Sequence, residues 1–225
     1  VFKNAGIHSV NVSLDSLQEE RMNRISRRDH FKRIISNIDL LVKNGFHVKV
    51  NVVVIRNTND DEILDFVRWT EDKPVHVRFI EFMPFDGNRW NSDKGVNSEE
   101  ILDTLINSYG KEKVCRIQDA VNDTARNYQI KGYLGTFAVI APVSNPFCDT
   151  CNRIRLTADG KLKNCLFSAG ETDLLTPLRN GRDISPLIIS SVLHKKTVRA
   201  GMESNEQLFY PARYSRNRSM VAIGG

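Results

Sequence analysis

The chain has 225 residues, of which 40% are hydrophobic and 26% are charged, and its formal net charge is +5. This composition is ordinary for a globular protein with a sizeable core, and no apolar run is long enough to span a bilayer. The mild positive charge favours anionic partners, whether nucleic acid or a phosphorylated small molecule, but it selects neither.

The first half of the chain alternates predicted strands with predicted helices. Alternating, β-branched runs indicate the strands, and apolar residues at helical spacing indicate the helices. The β-α-β-α-β-α order implies an α/β fold with parallel strands, either half of a barrel or part of an open sheet. No glycine-rich nucleotide-binding motif supports a standard nucleotide fold. The predicted strands are 7–14, 48–55 and 75–82, and the predicted helices are 31–44, 59–70 and 98–109.

Polar side chains lie within these strands or directly after them. Ser13, Asp15 and Met83 are at or near strand ends, where the active sites of barrels lie. Lys49 shares one face of its valine-rich strand with Asn51. Because a buried ammonium group needs a partner, Lys49 is interpreted either as an edge lysine or as an anion-binding lysine that points into a barrel.

The pattern of the sequence changes after residue 109. Short strand candidates around two glycines follow at 127–130 and 136–141, and helices are predicted over 173–179 and 184–193. This change predicts a division into two domains, 1–109 and 110–225.

Three of the four cysteines, Cys148, Cys151 and Cys165, lie in the second part with the spacing C-x2-C-x13-C. The close pair places two thiolates on one tight turn, and the Asp159-Gly160 turn signal predicts a hairpin that brings in the third. Three thiolates without a fourth ligand indicate a metal centre with an open position, in a reducing compartment. Zinc and an iron–sulfur cluster both fit this spacing. Cys115 is interpreted as a lone buried cysteine.

Two arginines follow the cysteine pair. Arg153 and Arg155 alternate along a strand-like run, so they are predicted to share a face beside the metal. They are interpreted either as surface arginines or as a fork-like reader of an anion or of a base edge.

The cysteine segment, residues 147–167, resembles the C-terminal cluster motif of the GTP 3′,8-cyclase family. These are the radical S-adenosylmethionine enzymes of molybdenum cofactor biosynthesis, also called molybdenum cofactor biosynthesis protein A. Segments 11–17, 48–51, 77–83 and the terminal Gly224-Gly225 resemble the same family in the same order. The resemblance therefore covers essentially the whole chain.

The resemblance implies a substrate-side 4Fe–4S cluster. Its three ligands match Cys148, Cys151 and Cys165, and its open iron contacts the guanine base of GTP. The residues that match the family's GTP-binding positions are Lys49, Arg78, Arg153, Ile154 and Arg155.

The resemblance also implies contacts to the cofactor and a catalytic tail. Ser13 and Met83 match contacts to S-adenosylmethionine. Gly224 and Gly225 match a flexible tail that reaches into the active site, where only glycine lets the backbone come so close. The catalytic positions implied are Arg153, Arg155, Gly224 and Gly225.

The implied fold is an incomplete TIM-type barrel followed by an α+β extension that carries the cluster. The implied activity is that of a lyase, which converts GTP to (8S)-3′,8-cyclo-7,8-dihydroguanosine 5′-triphosphate. The protein holds C3′ and C8 of GTP in line and keeps water away, while the cofactors supply the radical chemistry.

The sequence departs from the family pattern at its beginning. The family's other 4Fe–4S cluster is bound by a C-x3-C-x2-C motif, which does not occur in these residues. Residues 1–6 read as the last turn of a helix closed by glycine. A fragment that lacks the N-terminal part, and with it the second cluster, is therefore expected, and alone it is expected to be inactive.

The expected partners are GTP, S-adenosylmethionine and an electron donor, with a functional link to cyclic pyranopterin monophosphate synthase and a homodimer as further expectations. No nucleic-acid or membrane partner is expected. The expected location is the mitochondrial matrix for a eukaryotic protein and the cytoplasm for a bacterial one. Two alternatives stay open: another radical S-adenosylmethionine enzyme with an auxiliary cluster, and a zinc-stabilised nucleic-acid-binding module. Few aromatic residues near the basic residues argue against the second.

Overall fold

The computed structural model describes residues 1–210 and 217–223. The chain forms two compact units. The first consists of Val1–Phe82 and Asp93–Pro142, and the second consists of Met83–Ser92 and Val143–Gly225. The division into domains 1–109 and 110–225 stays a prediction beside these units.

A six-stranded sheet forms the centre of the first unit, in the order β1-β2-β3-β6-β5-β4. The pairs β1–β2, β2–β3 and β3–β6 are parallel, and β5 and β4 are added antiparallel at one edge. A parallel sheet joined by helices confirms the α/β class that the alternating pattern predicts. The strands are β1 Ser9–Ser13, β2 His47–Val54, β3 Val75–Glu81, β4 Val114–Arg116, β5 Arg126–Ile130 and β6 Thr136–Ile140.

One helix of the first unit begins at a side-chain cap that explains its boundary. At the start of the fourth helix, Asn97 Oδ1 accepts the Glu100 N–H at 2.9 Å, and Glu100 Oε1 accepts the Asn97 N–H at 3.3 Å. This reciprocal capping box satisfies backbone donors that have no partner inside the helix. The helix ends at Gly110, whose φ is +88°. The helices are α1 Glu19–Ser26, α2 Phe31–Lys43, α3 Ile63–Arg68 and α4 Ser98–Tyr109.

The two faces of the sheet differ in polarity because strand side chains alternate between faces. On β2, Val48, Val50, Val52 and Val54 are at most 1% exposed and pack in the hydrophobic core. The opposite face of the same strand carries the polar residues of the segment 47–51, which are half-buried or exposed. The helices pack against the apolar face, so the polar residues of β2 lie on the opposite side of the sheet.

Three local predictions are wrong, each for a physical reason. The charge of the basic run 24–28 predicts a solvated loop, but Arg24 lies inside α1. The start of the predicted helix 59–70 suggests a side-chain N-cap at Asn59, but the Asn59 side chain bonds elsewhere: its Oδ1 accepts the Ile55 N–H at 2.8 Å, and its Nδ2 donates to the Asp15 carbonyl at 2.7 Å. Cys115 is exposed, because it lies on β4 at the edge of the sheet.

The second unit contains a three-stranded antiparallel sheet, with the order β7-β8-β9. The predicted hairpin between its first two strands is present, and Gly160 adopts a φ of +74° in the turn. A Cβ at Gly160 would lie 2.5 Å from the Leu175 Cβ, so the turn needs glycine for conformation and for space. The elements are β7 Arg155–Leu156, β8 Lys161–Lys163, β9 Thr172–Asp173, α5 Leu175–Arg179, α6 Ser185–Leu193 and α7 Asn205–Phe209.

A small apolar core supports the second unit. Phe167, Met202 and Leu208 are buried in it, and Met83 and Cys165 pack against them. Within the residues that the structure describes, none of the helices of the chain is long and apolar enough to cross a membrane.

Candidate functional site

The three predicted cysteine ligands lie on two short elements of the second unit. Cys148 and Cys151 flank a single 3-10 turn, which the Cys151 N–H closes on the Cys148 carbonyl at 3.1 Å. Cys165 follows β8, two residues after Lys163. Burial raises the pKa of the Cys165 thiol, and the charges of Cys148 and Cys151 raise it further. The turn thus holds Cys148 and Cys151 together, and Cys165 comes from the end of the hairpin.

Donors to sulfur come from a segment far along the chain. The Lys195 ammonium donates to Cys151 Sγ at 3.4 Å and to the Cys151 carbonyl at 2.9 Å. The Arg199 backbone N–H donates to Cys148 Sγ at 3.4 Å. Hydrogen bonds from the backbone of Phe167 and Ala200 lower the pKa of Cys165, against the effect of burial. All of these donors favour thiolates over thiols.

The donor set can be tested against the two metals that the spacing allows. Within residues 1–210 and 217–223, no three His, Cys, Asp or Glu side chains stand together as the ligands of one metal ion. A structural zinc ion takes four such ligands at bond distance. In an iron–sulfur cluster each cysteine binds a different iron, so the sulfurs lie further apart, and N–H donors to sulfur tune the potential. Three thiols with N–H donors to sulfur are a donor set that suits an iron–sulfur cluster.

Arg155 is the first residue of β7 and pairs in register with Lys163. Its Nη1 donates to the carbonyl of Ile223 at 3.2 Å. Arg153 lies before the strand, where its carbonyl accepts from the Lys195 ammonium at 3.0 Å, and Ile154 is 49% exposed. The roles predicted for these three residues stay predictions. The predicted catalytic residues Gly224 and Gly225 lie outside the residues that the structure describes.

The polar face of the first unit collects the other predicted substrate residues. The register places Lys49 beside His76 and Asn51 beside Arg78, so all four side chains lie on one face. Arg78 Nε donates to Asn51 Oδ1 at 2.8 Å, and its Nη2 donates to Asn11 Oδ1 at 3.0 Å. Burial lowers the pKa of Arg78, the charge of Asp123 opposes this, and the two amide oxygens are uncharged partners. The amide oxygens do not neutralise the guanidinium, so its positive charge can attract an anion.

His76 was missed by sequence reasoning. Burial is the main cause that lowers its pKa to about 4, and the charges of Arg78, His47 and Lys49 contribute to the same shift. Its Nδ1 lies 2.7 Å from Thr136 Oγ1 on β6. The imidazole is thus neutral at pH 7, and the positive charge of this face comes from Lys49 and Arg78. A signal was present in the sequence, since His76 and Arg78 alternate with valine along the strand.

The end of β1 is held by buried polar groups. Ser13 is the last residue of the strand and is exposed, as a ligand contact requires. The Asp15 carboxylate accepts the Val53 N–H at 2.8 Å, and burial raises its pKa. Glu62, 1% exposed, accepts from Ser16 Oγ and from the Leu17 N–H, each at 2.7 Å. Asp15 therefore supports the loop after the strand.

Met83, the other residue predicted to contact S-adenosylmethionine, belongs to the second unit. Its side chain packs against the core of Phe167, Met202 and Leu208. Its carbonyl accepts from Asn88 Nδ2 at 2.7 Å. Its contact to a cofactor stays a prediction.

A cavity of about 290 Å³ lies beside β8 and α6 in the second unit. Asn164, Glu171 and His194 contribute polar groups to its wall. None of the predicted site residues lines it, so this cavity is separate from the predicted substrate site.

Two family models match successive parts of the chain. The family model described as Molybdenum Cofactor Synthesis C matches residues 75–201, and the model described as Radical SAM superfamily matches residues 1–70. The chain is 42% identical over 227 residues to "GTP 3′,8-cyclase, mitochondrial" of Arabidopsis thaliana, which covers 99% of this chain and 56% of that protein. It is 42% identical to "Molybdenum cofactor biosynthesis protein 1" of Mus musculus, over 98% of this chain and 34% of that protein.

A bacterial relative is matched over more of its length. The chain is 37% identical to "GTP 3′,8-cyclase" of Alkaliphilus oremlandii over 99% of this chain and 67% of that protein. The chain thus spans about half of the Arabidopsis relative and about a third of the mouse relative.

Proposed function

This chain belongs to the Molybdenum Cofactor Synthesis C family, and we propose that it is the GTP-binding part of a radical S-adenosylmethionine GTP 3′,8-cyclase. The proposed reaction converts GTP to (8S)-3′,8-cyclo-7,8-dihydroguanosine 5′-triphosphate. The observation that carries the proposal is a set of three thiols with N–H donors around the hairpin that Arg155 begins: Cys148 and Cys151 lie on the 3-10 turn before it, and Cys165 follows its second strand.

Cys148, Cys151 and Cys165 would hold a 4Fe–4S cluster in this proposal. When bound, the cluster supplies an iron with an open position for the base, and S-adenosylmethionine supplies the radical chemistry. The protein's own task is to hold GTP in one orientation and to exclude water. Ser13 and Met83 are the proposed contacts to S-adenosylmethionine.

Charge and hydrogen bonding decide how GTP would be held. Lys49 and Arg78 supply positive charge on the polar face of the first sheet, which suits a triphosphate. Arg153, Ile154 and Arg155 are the proposed contacts to the base. Arg155 is already oriented by the Ile223 carbonyl. Gly224 and Gly225 remain proposed tail residues of the active site.

The finer fold and the partners belong to the same proposal. The parallel sheet would be part of an incomplete TIM-type barrel, and the region after residue 109 would form the α+β extension that carries the cluster. An electron donor, a homodimer and a link to cyclic pyranopterin monophosphate synthase are proposed partners. A reducing compartment suits the free thiols, which means the mitochondrial matrix in a eukaryote and the cytoplasm in a bacterium.

The cluster is tested with the complete gene product, reconstituted with iron and sulfide without oxygen. Cys165→Ala should lose iron and the brown absorbance of this cluster, because one of its three proposed ligands is removed. Cys115→Ala is the matched control, since Cys115 is exposed on an edge strand of the first unit and should leave iron unchanged. Stoichiometric zinc without iron in the wild type, together with oligonucleotide binding, would instead support the nucleic-acid module.

The substrate is tested by GTP binding and turnover. Lys49→Gln should weaken GTP binding by roughly tenfold or more while the iron content stays the same, since a charge on the phosphate face is lost. Lys111→Gln is the control, because Lys111 lies exposed after α4. GTP should also protect the cluster from chelators. A reconstituted wild type that neither binds GTP nor forms the cyclised product would refute the proposal.

A further inference from the structure

A fully buried lysine joins the cluster hairpin to the C-terminal segment. The side chain of Lys163 on β8 is 0% exposed. Its ammonium donates to the Ser168 carbonyl and to Asn217 Oδ1, the latter at 3.0 Å, and lies 3.6 Å from Glu171 Oε1. Burial lowers the pKa of Lys163, and the Glu171 charge opposes this. Because a buried ammonium group must be compensated, these contacts determine where residue 217 lies.

Asn217 is fastened through both ends of its side chain. Its Oδ1 accepts from Lys163, and its Nδ2 donates to the Leu166 carbonyl at 3.0 Å. Its backbone carbonyl accepts the Asp86 N–H at 3.1 Å, and the residue is 1% exposed. A buried amide with every one of these bonds made has one position along the hairpin, since any shift would leave polar groups unpaired.

Arg218 adds an ionic contact at the turn of the same hairpin. Its two Nη atoms bind Asp159 Oδ1 and Oδ2 at 3.0 and 2.9 Å, and Nη2 also binds Glu171 Oε2 at 2.5 Å. The Arg218 guanidinium holds the pKa of the Asp159 carboxyl well below its usual range. Because two parallel hydrogen bonds join the guanidinium to the Asp159 carboxylate, they determine the orientation of the Arg218 side chain as well as its distance from Asp159.

The segment 217–223 begins with the two residues described above and ends at Ile223, which contacts a predicted GTP-binding residue. Ile223 is fully buried, and its carbonyl accepts from Arg155 Nη1 at 3.2 Å. Only a few residues separate Ile223 from Arg218. The contacts of Asn217 and Arg218 with the hairpin therefore decide which backbone carbonyl of the segment meets Arg155.

We infer that a clamp between the hairpin and the C-terminal segment positions Arg155 for GTP binding. The clamp consists of Lys163, Asn217, Arg218, Asp159 and Glu171. The clamp sets the register of residues 217–223, and the Ile223 carbonyl then holds the Arg155 guanidinium in the orientation that reads the base. These five are positioning residues, since they act through Arg155. The inference rests on the proposed function, because it takes Arg155 as a GTP contact.

The test compares Arg218→Gln with Lys161→Gln in the complete, reconstituted gene product. Lys161 Nζ lies 3.7 Å from Asp159 and 3.9 Å from Glu171, so it faces the same two carboxylates but belongs to β8 and not to the C-terminal segment. R218Q should raise the KM and the Kd for GTP roughly tenfold, with iron content and Tm unchanged. R218K should recover part of the loss, and K161Q should stay within about twofold of wild type.

Two further measurements separate positioning from general stability. Hydrogen exchange of residues 217–223 should accelerate in R218Q and not in K161Q. Adding R218Q to Arg155→Gln should cause no further loss of GTP affinity, because both changes act through one guanidinium. Asp159→Asn removes the same ion pair from the hairpin side and should reproduce the KM change, which covers the case that R218Q does not fold.

The possible failures are distinguishable. Wild type that does not bind GTP would refute the proposed function. Wild type and R218Q with equal GTP affinity would overturn the inference alone. An R218Q effect that adds fully to that of Arg155→Gln, or that K161Q reproduces, would also overturn it.

Discussion

Protonation of His76 should destabilise the first unit. The imidazole is nearly fully buried on β3, with Nδ1 2.7 Å from Thr136 Oγ1. Its pKa is lowered from 6.5 to about 4, mainly by burial and in part by the charges of Arg78, His47 and Lys49. The unfolded chain, which hydrates the ring, therefore binds the proton more tightly than the native state does.

The sign and size follow from this difference in pKa. Above pH 6.5 the ring is neutral in both states, and its contribution to stability is complete. As the pH falls from 6.5 to about 4, the unfolded state takes up the proton first and the native state loses stability. At about 1.4 kcal/mol for each unit of pKa difference, the full loss is roughly 3 kcal/mol, of which about 2 kcal/mol is lost by about pH 5.

The assay is the free energy of unfolding in urea, measured from about pH 7.5 to about pH 5 for wild type and for His76→Gln. Wild type should lose roughly 2 kcal/mol more than the variant across this range, because groups common to both cancel in the difference. A difference that does not change with pH would refute the reasoning. An NMR titration that places the pKa of His76 near 6.5 would refute it as well.

Three further changes test the fold. Glu62→Gln should lower the free energy of unfolding by about 3–5 kcal/mol in chemical denaturation, because it removes a buried, hydrogen-bonded charge. Asp61→Asn, at the exposed carboxylate that the same arginine binds, should lower it by under about 1 kcal/mol. Equal losses for the two variants would contradict this prediction. Phe79→Ala, at a fully buried position, should cost about 3–5 kcal/mol, against about 0.5 kcal/mol or less for the exposed Leu40→Ala. Asn97→Ala should lower the free energy of unfolding by about 1 kcal/mol, and Asn97→Asp should lower it by less, because an aspartate side chain can still cap the helix. An equal decrease of Tm in both variants would contradict the role of the capping box.

Local elements could be predicted from the sequence because their signals are local. The alternation of valine with polar residues predicts a strand over 48–55, and β2 is His47–Val54. The predicted helix 98–109 agrees with α4, and its start is marked by a capping box that needs only residues 97–100. The Asp159-Gly160 turn likewise depends on a positive φ that glycine adopts easily.

The cysteine ligand set was predicted from spacing and resemblance, but the donors around it were not. Lys195 and Arg199 reach Cys151 and Cys148 across more than 40 residues of chain. No pattern within a short window records such a contact, since it exists only when the second unit has folded. His76 is similar, because its low pKa depends on burial and on charges from a neighbouring strand.

By itself, the sequence determined most of the strands and helices in the first half of the chain, the Asp159-Gly160 turn and the identity of the thiols. These follow from backbone preferences and side-chain chemistry within a few residues. Only the tertiary structure decided which side chains meet: Arg78 with Asn11, Lys163 with Asn217, and Arg155 with Ile223. The physical reason is that strand register and burial are properties of the whole packed chain, and they choose partners that lie up to 68 residues apart.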